Sequence, residues 1–273
     1  MGLFDSHAHY YDRRFDDPTQ GENADAVLAR LFSPEGGIDG IINVGTRLET
    51  SRLCIAQAAR YERMYAAVGL HPEDCIEMSD PDGELSTLRE MLCDGQRRKR
   101  DKIVAIGEIG LDYYDRGIPL NKPLQMRVFE EQLALARTLS MPVIIHDRDA
   151  HGDCFVTVLR YPEVRGVFHS YSGSAEMAKE LVRRGWYISF SGVVTFKNAE
   201  RVRRVAETIP QDRLLAETDC PYLAPHPNRG KINRSDYMRY TLHTLAELFG
   251  MSDDEMIQLT RRNAERLFFS GVC

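Results

Sequence analysis

Two histidines stand two residues apart near the start of this chain, in the run Leu3-Phe4-Asp5-Ser6-His7-Ala8-His9. Read as a strand, the run sends successive side chains to opposite faces, so His7 and His9 share one face and Asp5 shares it with them. Two imidazoles so placed can hold one metal ion, and imidazole suits zinc, iron and nickel. An isolated His-x-His is common, and two ordinary strand-end histidines would look the same. The rest of the chain favours the metal, because His71, Glu108, His146, His169 and Asp219 each end a later strand-like run. Such side chains are costly to bury without partners, and one metal ion or a pair supplies the partner.

The elements that must carry these side chains follow from hydrophobic period. Strands are expected at 3–9, 40–45, 64–71, 102–109, 142–146, 166–169, 186–191 and 213–219, and helices at 23–32, 50–63, 83–93, 122–139, 149–161, 175–184, 198–209, 235–249 and 252–268. Ser252 and Glu255 have capping-box spacing at the start of the last helix. Ile103-Val104-Ala105-Ile106 and Val143-Ile144-Ile145 read as continuous apolar runs, as buried parallel strands do. Eight strands alternating with helices imply an α/β fold, a (β/α)8 TIM barrel over residues 1–273 as one domain; a doubly wound open sheet is the alternative. In such a barrel the active site lies at the C-terminal strand ends, where the metal-competent side chains stand. By strand parity Val104, Ile106 and Glu108 form one inward column and Leu215, Glu217 and Asp219 another, with Glu217 placed to orient a histidine.

Composition narrows the function classes. The chain of 273 residues is 43% apolar and 28% charged with net charge −6, which suits a soluble globular protein and argues against broad nonspecific nucleic-acid binding. The basic run Arg97-Arg98-Lys99-Arg100-Asp101 reads as a solvated helix end, with a nucleic-acid contact as the other reading. With no apolar run of about 18 residues, no membrane span is expected. No charged and apolar leader precedes the first strand, so no signal peptide is expected. The six cysteines (54, 75, 93, 154, 220 and 273) include no C-x-x-C pair, which fits free thiols and a cytoplasmic location. Cys220 beside Asp219 reads as packing rather than as a nucleophile.

A resemblance joins these readings. Residues 3–12, Ala67-Val68-Gly69-Leu70-His71-Pro72, Gly107-Glu108-Ile109-Gly110-Leu111-Asp112-Tyr113, Ile145-His146-Asp147-Arg148, Phe168-His169-Ser170-Tyr171, Phe190-Ser191-Gly192 and Glu217-Thr218-Asp219-Cys220-Pro221 are similar, in order, to the signatures of the TatD-type deoxyribonucleases. So are Arg229-Gly230-Lys231 and Asn263-Ala264-Glu265-Arg266. The chain departs at Tyr10, where the family usually has Leu, and at Ser170-Tyr171, where it usually has Cys-Phe; neither change removes a ligand.

The resemblance implies a (β/α)8 metal-dependent hydrolase acting on DNA phosphodiesters, an exonuclease with one or two divalent ions (Mg, Mn or Zn). His7 and His9 would hold one ion with Asp219, and Glu108 would bridge to a second held by His146 and His169. Asp219 and Glu108 are then the catalytic carboxylates. His71, Arg148 and Arg229 are candidates to bind phosphate, and Tyr113 and Tyr171 to stack a base. DNA is the expected partner, with no membrane. An amidohydrolase-type C–N hydrolase on the same metal site is the alternative; it commonly bridges with a modified lysine where this chain has Glu108. A non-enzymatic barrel is the remaining rival, against which stands the full set of six ligand candidates.

Overall fold

The apolar β-branched runs become strands, and the 3.6-periodic runs become the helices that cover them. In the computed structural model, which describes residues 2–270 except 18, 20, 77, 118 and 119, the strands are β1 (Leu3–Ala8), β2 (Ile38–Val44), β3 (Met64–Val68), β4 (Ile103–Asp112), β5 (Val143–Arg148), β6 (Gly166–Phe168), β7 (Tyr187–Phe190) and β8 (Leu214–Ala216). They form one sheet in sequence order, every neighbouring pair parallel. The ring returns on itself just beyond β8. There Asp219 N–H donates to the His7 carbonyl (2.9 Å) and His9 N–H to the Cys220 carbonyl (2.8 Å). This is a (β/α)8 TIM barrel.

Two apolar clusters hold it. The inner one takes Phe4, Ile42, Val44, Ala67, Val104, Ala105, Ile144, Val167, Tyr187 and Leu215, at least one from each strand, and Ala264, Leu267 and Phe268 of the C-terminal helix Asp253–Phe269 pack beneath them. The outer one joins the other strand faces to the surrounding helices, Leu28, Cys54, Leu88, Phe129 and Leu245 among them. Each large apolar side chain so buried contributes about 1.5–3 kcal/mol. The last helix starts at the capping box read from Ser252 and Glu255.

Element ends differ from the expected ones in ways that matter for the site. β3, β6 and β8 stop before His71, His169 and Asp219, so these three stand just past their strands. His71 caps the short helix Pro72–Cys75, accepting Glu73 N–H through Nδ1 (3.2 Å). Ser170 (φ 40°) and Asp219 (φ 57°) leave β geometry for the left-handed region. β4 instead runs on to Asp112, pairing Gly110 with His146 and Asp112 with Arg148 on β5. Only glycine allows that approach at 110, where φ is 143° and a Cβ would lie 2.0 Å from the His146 carbonyl oxygen. The helix Lys122–Leu139 pins both places: the Gln132 amide bonds both backbone groups of Leu70, and the Gln125 amide both of Asp112.

Strict parity fails twice. The β1 register shifts between Asp5 and Ala8, and Asp5 does not join His7 and His9. Its buried carboxylate accepts from Thr218 N–H (2.9 Å), Thr218 Oγ1 (2.6 Å) and Ser235 Oγ (2.7 Å), tying β1 to the segment after β8. Burial pushes its pKa up to about 6 against those bonds. On β4 a shift against β3 between Ile103 and Ala105 leaves Val104 and Ala105 in the inner cluster and Ile106 in the outer one, and a second shift, against β5, follows between Ile106 and Ile109. Among the described residues no helix is long and apolar enough to cross a membrane. The five described cysteines are free thiols; Cys273 lies outside the described residues.

Candidate metal centre

Glu108 is the hub. Its carboxylate is buried, and four histidines come within 3.4 Å of it: His169 Nε2 and His146 Nδ1 lie 2.8 Å from Oε1, His71 Nε2 3.4 Å from Oε1, and His7 Nε2 3.3 Å from Oε2. His9 Nε2 is 3.6 Å from Oε2 and 3.3 Å from Asp219 Oδ1, and the two β1 histidines bring their Nε2 atoms within 3.0 Å of each other. The His7 and His169 rings stack at 4.1 Å. Burial alone would raise the Glu108 pKa, but the surrounding imidazoles outweigh it and hold the carboxyl well below the usual range. Asp219 is likewise held down despite burial, chiefly by the bond from His9. For His7 burial wins, with His169 adding to it, and its pKa falls; for His9 and His169 burial is overcome by the carboxylates, and theirs rise.

The outer nitrogen of each ring decides what the inner one offers. His9 Nδ1 lies 2.7 Å from the Val44 carbonyl, which only accepts, so Nδ1 carries the hydrogen. His169 Nδ1 lies 3.2 Å from Glu217 Oε1, which also accepts Ser170 N–H, so Glu217 orients that ring as the strand column suggested. His146 Nε2 lies 2.9 Å from Asp112 Oδ2, whose pKa stays low although burial opposes it. In the neutral rings this leaves lone pairs on His9 Nε2, His169 Nε2 and His146 Nδ1. All three face carboxylate oxygens, so acceptors face acceptors across a buried space, and a proton on each ring or a metal ion reconciles them. A mixed imidazole and carboxylate donor set fits a divalent ion.

His71 is the exception. Distance groups it with Glu108 and His146, as it groups His7 with His9 and Glu108 and His7 with His169 and Asp219. Yet His71 Nδ1 accepts Glu73 N–H, so its Nε2 carries the hydrogen and points a donor, not a lone pair, at Glu108. The second group shares His7 with the first and Glu108 with the third, so the three form one connected set of ligand atoms.

The centre lies at the floor of a cavity of about 670 Å³ lined by His71, Arg148, Tyr11, Arg13, Arg47 and Tyr222, among others. Of the expected phosphate binders, His71 and Arg148 are there. The Arg148 guanidinium lies over the Tyr114 ring at 3.9 Å, with no carboxylate partner among the described residues. Arg229 is not in the lining: its guanidinium lies over Phe196 at 3.9 Å and donates to the Ala224 carbonyl. Tyr113 and Tyr171 are also outside it, bonded to Asp153 and to the Ser174 carbonyl. The Cys220 thiol is fully buried and pushed up in pKa by that burial, a packing residue as expected.

Sequence reading missed three contributors. Asp112 was visible only as a motif letter, because its partner depends on the β4–β5 register. The Val44 carbonyl carries no side-chain signal at all. Tyr11, whose hydroxyl lies 3.2 Å from His9 Nδ1, sits one residue past the His-x-His pattern and could have been flagged by proximity.

Comparison with known proteins agrees with this geometry. The family model for TatD-related DNase matches residues 4–269. The uncharacterized metal-dependent hydrolase YabD of Bacillus subtilis is 40% identical over 269 residues, covering 97% of this chain and 98% of that protein. The uncharacterized metal-dependent hydrolase YcfH of Escherichia coli is 36% identical over 271 residues, 98% of this chain and 96% of that one. The crystal structure of YjjV, a TatD homologue from E. coli, superposes with a TM-score of 0.85 at 31% identity, covering 97% of each chain. Matched along nearly its whole length by that family model, the chain belongs to the TatD-related DNase family of metal-dependent hydrolases.

Proposed function

We propose that this chain hydrolyses phosphodiester bonds of DNA, working from a strand end as an exonuclease, with two divalent ions, Mg, Mn or Zn. The observation that carries the reading is the set of three inward lone pairs, on His9, His146 and His169, aimed at carboxylates below an open cavity. His7, His9 and Asp219 would hold one ion, His146 and His169 the other, with Glu108 between them. Ions held there supply Lewis-acid polarisation and lower the pKa of water. The protein's own groups do the rest. Asp219, its side chain 15% exposed against 4% for Glu108, is the carboxylate open to the cavity and can accept a proton from an attacking water. His71, lining the cavity, could turn its Nε2–H from the long 3.4 Å contact with Glu108 to a phosphate oxygen. Arg148, unpaired at the rim, offers bidentate contact to a second phosphate. Arg229 lies off the cavity and has no contact role in this reading.

The family's name supports DNA as the substrate, and Glu108 at the shared position supports phosphodiester over C–N chemistry. Residues 1–273 act as one catalytic domain, and the free thiols support a cytoplasmic setting. The test is a digestion time course on single-stranded DNA labelled at either end, with each metal in turn, beside an N-acyl amino acid under the same conditions. Stepwise shortening of the DNA from one end is expected. Intact DNA with turnover of the N-acyl substrate would replace this reading with the amidohydrolase one.

A further inference from the structure

Half of the basic run 97–100 is ion-paired and half is not. Arg97 and Arg100 both pair with Asp101. Arg98 donates instead to the Leu92 carbonyl, and Arg98 and Lys99 line a groove of about 540 Å³. The groove lies at the end of the barrel opposite the metal centre, since Ile103 and Val104 open β4, Pro142 precedes β5 and Arg165 precedes β6. Arg137 and Arg165 bring the cations to four, and Glu163 is the one carboxylate in the lining. Arg165 donates to the Pro162 and Val164 carbonyls, and Arg137 lies over the Tyr161 ring at 5.6 Å. Among the described residues no ion pair joins any of the four to a carboxylate. Carbonyl bonds orient a guanidinium without cancelling its charge, so in a chain of net charge −6 these cations keep theirs.

Between the cations the floor is apolar. Ile103 (6% exposed), Val104 (7%), Met141 (9%) and Leu267 (9%) keep some surface there, while most other core residues keep almost none. A rim of unpaired guanidinium groups over an apolar floor suits an anionic phosphate joined to a flat apolar body, and the volume lies in the range of small-ligand sites. We infer that this groove binds a small organic phosphate of the nucleoside-monophosphate class, at a site separate from the mouth.

The test uses the full chain freed of metal, so that it does not depend on what the mouth hydrolyses. Adenosine 5′-monophosphate, adenosine and inorganic phosphate are each titrated by calorimetry against the parent, Arg137→Glu, Arg165→Glu and Arg148→Glu. All three positions are on the surface, and a thermal melt checks that each variant folds; Arg137→Gln and Arg165→Gln serve if charge reversal disturbs it. The expected result is saturable binding of the nucleotide at one site, weakened about tenfold or more in each groove variant and unchanged in Arg148→Glu, with adenosine and phosphate each far weaker. Three results would overturn the inference: no saturable nucleotide binding, weakening by Arg148→Glu but not by the groove variants, or phosphate alone binding as tightly as the nucleotide.

Discussion

Replacing Asp112 by Asn should separate metal affinity from folding. The carboxylate is buried and accepts from His146 Nε2 (2.9 Å), Tyr114 N–H (2.9 Å) and the Arg116 guanidinium (3.1 Å). Asn keeps the volume but turns one oxygen into an NH2 group. If the amide oxygen stays on Tyr114 N–H, the NH2 faces His146 Nε2 and makes that nitrogen the acceptor. The ring then carries its hydrogen on Nδ1, where it donates to Glu108 Oε1 at 2.8 Å. The contact with His146 is thus satisfied in the metal-free variant. Arg116 keeps its pair with Glu73 and its Nη1 bond to the amide oxygen, but its Nη2 now meets the NH2 group where it met Oδ2 (3.1 Å), so the metal-free variant should melt somewhat lower than the parent. A metal ion, however, needs the Nδ1 lone pair. Restoring that tautomer sets a donor against a donor, at about 1–3 kcal/mol. Metal affinity should therefore fall about 10- to 100-fold. Competition against a fluorescent chelator measures this, with thermal melts of the metal-free proteins alongside. Affinity within about twofold of the parent would show that Asp112 does not set the His146 tautomer.

Other expectations follow from the same geometry. Asp219→Asn should fold normally, since Asn tolerates the left-handed backbone at φ 57°; its phosphodiesterase rate at saturating metal should fall about 100-fold or more through loss of the proton acceptor, and a rate within about threefold of the parent would assign that role elsewhere. Arg148→Ala should flatten the salt dependence of single-strand binding by a slope of about 0.7. Arg229→Ala should leave that slope alone and lose its Phe196 stack, about 0.5–1 kcal/mol in denaturant melts, with its bond to the Ala224 carbonyl; a changed slope would return Arg229 to the substrate path. Asp5, with its pKa near 6 against 3.8, binds its proton more tightly in the folded chain. Its contribution to stability is full below pH 3.8, is lost as pH rises through about 6 and amounts to about 3 kcal/mol. The difference in urea stability between Asp5→Asn and the parent should shift by that amount between pH 3 and pH 7, and a flat difference would refute it.

The barrel was legible because its strands are largely buried and so read as apolar runs, and because His7, Glu108, His146, His169 and Asp219 each follow such a run. What was not legible depends on pairing between strands. The period-two rule put Asp5 beside His7, but a register shift in β1 intervenes, and the carboxylate ties β1 to Thr218 and Ser235 instead. The rule also put Ile106 in line with Glu108, and the shift after Ile106 breaks that line. Arg229 looked like a rim residue because it follows the proline-rich stretch after β8. Phe196, some thirty residues earlier, takes its guanidinium instead, and nothing local announces such a contact. Glu217 was readable because Leu215 and Glu217 lie on an undisturbed stretch.

The most direct test of the metal centre is which nitrogen of each histidine meets the ion. Crystals grown with manganese or zinc and measured at the metal's absorption edge would show it. The hydrogen bonding predicts ions beside Glu108, about 2.0–2.2 Å from His146 Nδ1, His169 Nε2 and His9 Nε2, with His71 outside bonding distance. An ion held by His71, ligation of His146 through Nε2, or no ion at Glu108 at saturating metal would contradict the account.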